Sequence, residues 1–178
     1  MKKKILSSLL IATSIFIASG CGVEDAIRKS LAQAIHVSKD AENNVTIPDN
    51  SSLGAISSIN VSTDYSAVKI FSVEVEIKHQ KIGDLKISLT SPHGTTVILS
   101  DRRGGNTHNM DITFDDNATD SITTATAPLS YYYIPEEALS NFNGQNPNGN
   151  WKLKVVDSSA TKVGKIVKWS LITFEDRD

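Results

Sequence analysis

One cysteine, Cys21, occurs in the whole chain of 178 residues. No intramolecular disulfide and no cysteine-built zinc site can therefore form. Glycine (10) and proline (5) are too few for a linker-dominated chain. A basic excess is also missing: 18 Lys and Arg face 20 Asp and Glu, for a net charge of -2. Nucleic-acid binders normally carry the opposite bias, so nucleic acid is excluded as an expected partner. The sequence contains no internal repeat, heptad or low-complexity tract. What it does contain, 39% hydrophobic and 21% charged residues, suits a globular domain with a sizeable core.

The chain opens with Met1-Lys2-Lys3-Lys4, followed by an apolar stretch from Ile5 to Ala18. That stretch is short of the roughly 20 residues that cross a bilayer as a helix. A cationic start, a short apolar run and small residues before a break read as an export signal. The run ends in Ala18-Ser19-Gly20-Cys21, which resembles the lipobox of bacterial lipoproteins, with Ala18 where leucine is usual. The resemblance implies that residues 1–20 are a lipoprotein signal peptide and that Cys21 carries the lipid. The alternative is an ordinary signal peptide with an incidental cysteine. Loss of residues 1–20 removes three lysines and no acid, leaving 15 basic against 20 acidic residues. Lipid rather than charge would then hold the chain at a membrane. Gly22 stands where inner-membrane lipoproteins of the enteric type carry Asp. The expected location is thus the cell envelope, at the outer membrane if the host has one and otherwise at the exported cell surface.

Between Gly22 and Asn44, Val23, Ala26, Ile27, Leu31, Ala34 and Ile35 recur at three- and four-residue spacing, the helical period. The polar run Ser38–Asn44 that follows predicts a short helical tether over residues 21–44; a helix docked on the domain is the alternative. After Asn44 the period becomes two. Val73, Val75 and Ile77 alternate with Glu74, Glu76 and Lys78, and Leu85, Ile87 and Leu89 with Lys86, Ser88 and Thr90. These are two half-buried strands, and the short Gly-containing segment between them predicts an antiparallel hairpin. Further strands are expected at Thr95–Leu99, Trp151–Val155 and Trp169–Thr173, with both tryptophans in the core. Short, evenly spaced strands with turn signals point to a β-sandwich or barrel over residues 45–176.

The order of the pieces resembles the P domain (Homo B domain) of subtilisin-like proprotein convertases. Ile47-Pro48-Asp49-Asn50 opens the match, and His79-Gln80-Lys81-Ile82-Gly83-Asp84-Leu85 is similar to the family's His-x-x-Arg-Gly-Asp-Leu, with Ile82 in place of Arg. Ser91-Pro92-His93-Gly94-Thr95, Thr113-Phe114-Asp115-Asp116-Asn117-Ala118 and Asn148-Gly149-Asn150-Trp151-Lys152-Leu153 follow, and Gly164–Leu171 closes the series. The resemblance implies an all-β jelly-roll sandwich of the galactose-binding-like group. In the family this domain follows a subtilisin catalytic domain and stabilises it. Residues 22–46, between Cys21 and Ile47, are far too few for such a domain, so a stand-alone, non-catalytic module is expected. Serine-type endopeptidase activity and proteolysis attach to it only by family association.

The candidate sites are few. His93-Gly94-Thr95 imitates the subtilisin histidine motif, but no Gly-Thr-Ser-x-Ala or Gly-x-Ser-x-Gly nucleophile turn accompanies it, so His93 reads as a turn residue. His79 reads as a strand-end residue that satisfies a turn, and Asp84 as a turn carboxylate. His36 and His108 lie in polar stretches. Asp111, Asp115, Asp116 and Asp120 fall close together beside Asn106, Asn109 and Asn117. Hard cations take oxygen ligands of these kinds, and the P-domain resemblance adds that relatives are often calcium-bound. Asp115 and Asp116 are the leading ligand candidates for a structural Ca²⁺, against a solvated acidic loop. In Tyr131-Tyr132-Tyr133, alternation is expected to bury Tyr132 and to expose Tyr131 and Tyr133 for a partner protein or a glycan. The partner expected first is a protein, such as a separately encoded subtilisin-like protease; the alternative is a sugar.

Overall fold

The computed structural model describes residues 35–39 and 44–175, apart from 65, 127, 128 and 130. The expected signal peptide, Cys21 and most of the expected tether lie outside these residues. Among the described residues, ten strands form two sheets. The first contains β1 (Ile35–Lys39), β2 (Val45–Ile47), β4 (Val68–His79), β7 (Met110–Phe114), β8 (Tyr132–Tyr133) and β10 (Gly164–Glu175). Its order is β1-β10-β4-β7-β8, with β2 also on β10. The second contains β3 (Ser51–Val61), β5 (Leu85–Thr90), β6 (Thr96–Asp101) and β9 (Gly149–Asp157), in the order β3-β9-β5-β6. Among these pairings only β7 with β8 is parallel. The result is the expected jelly-roll β-sandwich.

Alternation builds the core. Val73, Val75 and Ile77 of β4 are buried, as are Leu85, Ile87 and Leu89 of β5. Trp151, Leu153 and Val155 of β9 and Trp169 and Leu171 of β10 face them. Each such side chain contributes on the order of 1.5–3 kcal/mol by leaving water. Both tryptophans keep their polar end satisfied: Trp151 Nε1 donates to the Pro147 carbonyl at 2.8 Å and Trp169 Nε1 to Ser57 Oγ at 3.0 Å.

Two expectations need correction. β4 and β5 do not form a hairpin: β4 pairs with β10 and β7, whereas β5 pairs with β6 and β9. The chain crosses from one sheet to the other through a 3-10 turn at Ile82–Asp84. Alternation shows which face of a strand is wet, and two strands facing each other across a core satisfy it as well as two side by side. Gly83 fixes the crossing, because its amide donates to the Gly105 carbonyl at 3.0 Å and a Cβ there would overlap that carbonyl.

The second correction concerns Ile35, expected in the helical tether. Ile35–Lys39 is a strand, paired with Lys39↔Ser170 through Ile35↔Phe174 on β10. β2 takes the other end of the same edge, from Gly164 to Ile166. Together they cover a ladder that β10 would otherwise leave open. Ile35-His36-Val37-Ser38-Lys39 also alternates at period two, and the unmet backbone groups of β10 decide between the two periods.

Candidate functional site

At one end of the sandwich the inward rows of β4 and β9 each finish on a polar residue. His79 continues the row of Val73, Val75 and Ile77, and Asp157 continues that of Trp151, Leu153 and Val155. The two meet from opposite sheets, with His79 Nε2 3.2 Å from Asp157 Oδ2 and both side chains fully buried, 0% exposed. His79 Nδ1 lies 2.9 Å from the Lys81 carbonyl oxygen and 3.1 Å from the Lys81 nitrogen. With a proton on Nε2 alone, the ring donates to Asp157 and accepts the Lys81 N–H. With both nitrogens protonated, it donates to the Lys81 carbonyl as well. In either form both nitrogens are engaged.

The network extends around the pair. Asp157 Oδ1 accepts the Ser159 N–H at 3.0 Å, and Lys81 Nζ donates to Asp84 Oδ1 at 2.7 Å. Burial pushes the Asp84 carboxyl up, but hydrogen bonds from Lys81 and Ser159 outweigh it and hold the group below its ordinary value of 3.8. The chemistry available here is structural. A catalytic histidine keeps one nitrogen for the nucleophile and the other for an orienting carboxylate. Here one nitrogen goes to the carboxylate and the other to the backbone. His93, the other histidine that imitated a catalytic motif, sits exposed in its turn with Nε2 3.1 Å from the Asn146 carbonyl oxygen.

The four candidate calcium ligands are dispersed. Asp111 is exposed on the outer face of β7, opposite Glu76. Asp115 is buried at the end of β7, where its Oδ1 accepts the Asn117 backbone N–H at 2.8 Å. Asp116 reaches the start of a second 3-10 turn, Leu139–Phe142, where its two oxygens accept the N–H groups of Leu139 at 2.8 Å and Ser140 at 2.9 Å. Asp120 is exposed in the following loop. Among the described residues no three His, Cys, Asp or Glu side chains converge to hold a metal. Two of these aspartates, Asp115 and Asp116, complete the backbone hydrogen bonding of turns.

The tyrosines also depart from expectation. Tyr131 is 64% exposed and Tyr132 48%, whereas Tyr133 is only 4% exposed. The alternation is thus one residue out of phase with the sequence reading. Tyr133 lies beside Phe114 on the parallel β7–β8 ladder, and that pairing turns it into the core. An exposed pair does exist on this edge, but it is Tyr131 with Tyr132, so a binding site built on Tyr131 and Tyr133 is ruled out by the burial of Tyr133.

The profile of the Proprotein convertase P-domain family matches residues 68–173, from the first residue of β4 into β10. The chain belongs to that family. Among curated relatives, this P domain is 31% identical over 131 residues to a protein from Streptomyces exfoliatus named leupeptin-inactivating enzyme 1, covering 73% of this chain and 24% of the relative. It is 32% identical over 102 residues to a protein from Trichormus variabilis named calcium-dependent protease, covering 56% of this chain and 13% of the relative. A protein of the same name from Nostoc sp. matches equally, at 32% over 102 residues. The chain therefore spans about a quarter or less of the length of these relatives. Among solved structures, the serine protease of Aeromonas sobria, alone and in complex with the chaperone ORF2, matches at 20% identity with a TM-score of 0.48. Those matches cover 80% and 81% of this chain and 26% of the solved chain.

Two features of the site escaped the sequence reading. The His79–Asp157 pair carried a signal: each is a polar residue in phase with a buried row, and two such residues need partners. The other is Arg103 with Glu136, joined at 2.8 Å and 3.2 Å. Glu136 also accepts the Asp101 N–H at 2.6 Å, and its own N–H donates to the Leu99 carbonyl at 3.2 Å. This segment covers the outer edge of β6. No periodicity marks it.

Proposed function

We propose that this P domain is a non-catalytic module that binds and stabilises a subtilisin-like serine protease. The observation that carries the reading is the engagement of both His79 nitrogens, by Asp157 and by the Lys81 backbone, in a domain with two relatives named calcium-dependent protease. The histidine–carboxylate pair fastens the sandwich and activates nothing. Tyr131 and Tyr132, exposed beside one another on the β8 edge, are the anchors proposed for the partner, since exposed aromatics supply large contact area at low entropic cost. Lipid attachment at Cys21 would hold the complex at the cell envelope.

The test is to heat a subtilisin-like catalytic domain from the same organism with and without the full chain. Its inactivation half-life is expected to lengthen with the P domain present and to return towards the unassisted value with Tyr131→Ala and Tyr132→Ala. A half-life indifferent to the full chain would defeat the proposal.

A further inference from the structure

Lys78 of β4 and Lys165 of β10 are direct partners in the antiparallel ladder, and Thr46 of β2 lies opposite Lys165 on its other side. Directly opposed residues of neighbouring strands have Cβ atoms about 4.5–5.5 Å apart, and like charges placed so are destabilising. Among the described residues no carboxylate pairs with either lysine. Glu76, the next acid on the same face of β4, is bound to Lys168 at 3.2 Å, and Asp111 lies opposite Glu76 rather than opposite Lys78. Glu74, further along, accepts the Ser170 hydroxyl at 2.9 Å. Neither Lys78 nor Lys165 forms an ion pair with any described residue.

The two lysines line a shallow depression of about 490 Å³, and none of its described lining residues is acidic. His108 and Asn109, from the loop leading into β7, line it as well. Asn109 Oδ1 already accepts the His79 N–H at 3.1 Å, which leaves its amide NH₂ as a donor. Donors from three separate elements thus border one concave surface. A charge of two, with several oxygens reachable from different sides, matches it best.

The geometry points to a phosphate-binding site formed by Lys78, Lys165, His108 and Asn109, taking the dianionic phosphoryl group of a phosphate ester. A carboxylate would neutralise one ammonium and leave the other. A phosphoryl dianion neutralises both and offers each donor its own oxygen. The phosphoryl group belongs either to a soluble ester or to a lipid headgroup.

Melting of the full chain in inorganic phosphate, against chloride at equal ionic strength, tests the site, because an anion bound only by the folded state raises the melting temperature. Phosphate is expected to stabilise beyond chloride, with amide shifts centred on Lys78, Lys165, His108 and Asn109. Lys78→Met and Lys165→Met are each expected to melt no lower than the unmodified chain in chloride, because they remove the repulsion. Each is also expected to lose the phosphate gain and to weaken phosphate binding about tenfold or more. Vesicles of phosphatidylcholine, with and without phosphatidic acid, form the second arm. A Lys78-dependent response to the acidic vesicles alone assigns the phosphoryl group to lipid, and a response to free phosphate assigns it to a soluble ester. Equal melting in phosphate and chloride together with no Lys78-dependent vesicle binding overturns the site. So does a phosphate gain that survives both lysine substitutions.

Discussion

His79 and Asp157, 78 residues apart in the chain, meet at 3.2 Å across the end of the sandwich and bind its two sheets to each other. Removing either partner leaves a buried polar group with no counterpart, and a loss of about 3 kcal/mol is expected for His79→Ala or Asp157→Ala. The two together are expected to cost clearly less than the sum of the singles, because they share one interaction. Urea unfolding of the three variants measures both quantities; strictly additive losses would contradict the pairing.

Acid is expected to unfold the domain through two carboxylates. Burial raises Asp84, but its hydrogen bonds outweigh that and hold it below 3.8, while the Arg103 hydrogen bond holds Glu136 below 4.5. Groups held low bind fewer protons folded than unfolded. Their contribution is complete above those ordinary values and is lost as pH falls through the lower, folded ones. Melting temperature should stay level from neutrality to about pH 5 and then drop. Asp84→Asn and Glu136→Gln should each lower the neutral plateau and shallow the acid limb, Asp84→Asn more because Asp84 is the more buried.

Calcium and chelator are expected to leave the melting curve of the full chain unchanged. Asp116→Ala should cost about 1–2 kcal/mol by uncapping Leu139 and Ser140, and by the same amount with calcium as with chelator. A calcium-dependent stabilisation that Asp116→Ala abolishes would show instead that these oxygens serve an ion.

Gly83→Ala is expected to destabilise by about 2 kcal/mol, since the added methyl group overlaps the Gly105 carbonyl where two backbones touch. Gly94→Ala provides the comparison: it has open space around it but a φ of 89°, so it should lose less, and only by backbone strain. Thermal unfolding of both ranks crowding against strain.

Much of the fold was legible because Val73–Ile77, Leu85–Leu89 and Trp151–Val155 each alternate without error. What alternation carries is facing, and it is silent on neighbours. The β4–β5 crossing was missed for that reason, and so was the strand hidden in the last residues of a helical pattern at Ile35. The tyrosine triplet failed differently: three identical residues carry no phase, and only the parallel pairing of Tyr133 beside Phe114 sets it. For the acidic run the sequence supplies chain proximity alone and does not show what each carboxylate touches. In space Asp116 turns to Leu139 and Asp115 to Asn117. Lys78 and Lys165 each looked like an ordinary solvated lysine, and their opposition depends on a pairing between residues far apart in sequence.

The strand order has a kinetic meaning. β9 lies between β3 and β5, and β10 between β4 and the pair β1 and β2, so each sheet takes one of its inner strands from residues 149–175. Until that stretch is available, β3 has no hydrogen-bonded neighbour in its sheet, and β4 has only β7. The β4–β7 and β5–β6 pairs can form without that stretch, but joining β3 and completing either sheet requires closing long loops. Slow folding is the expected consequence, because both sheets are completed only by pairings between residues far apart in sequence.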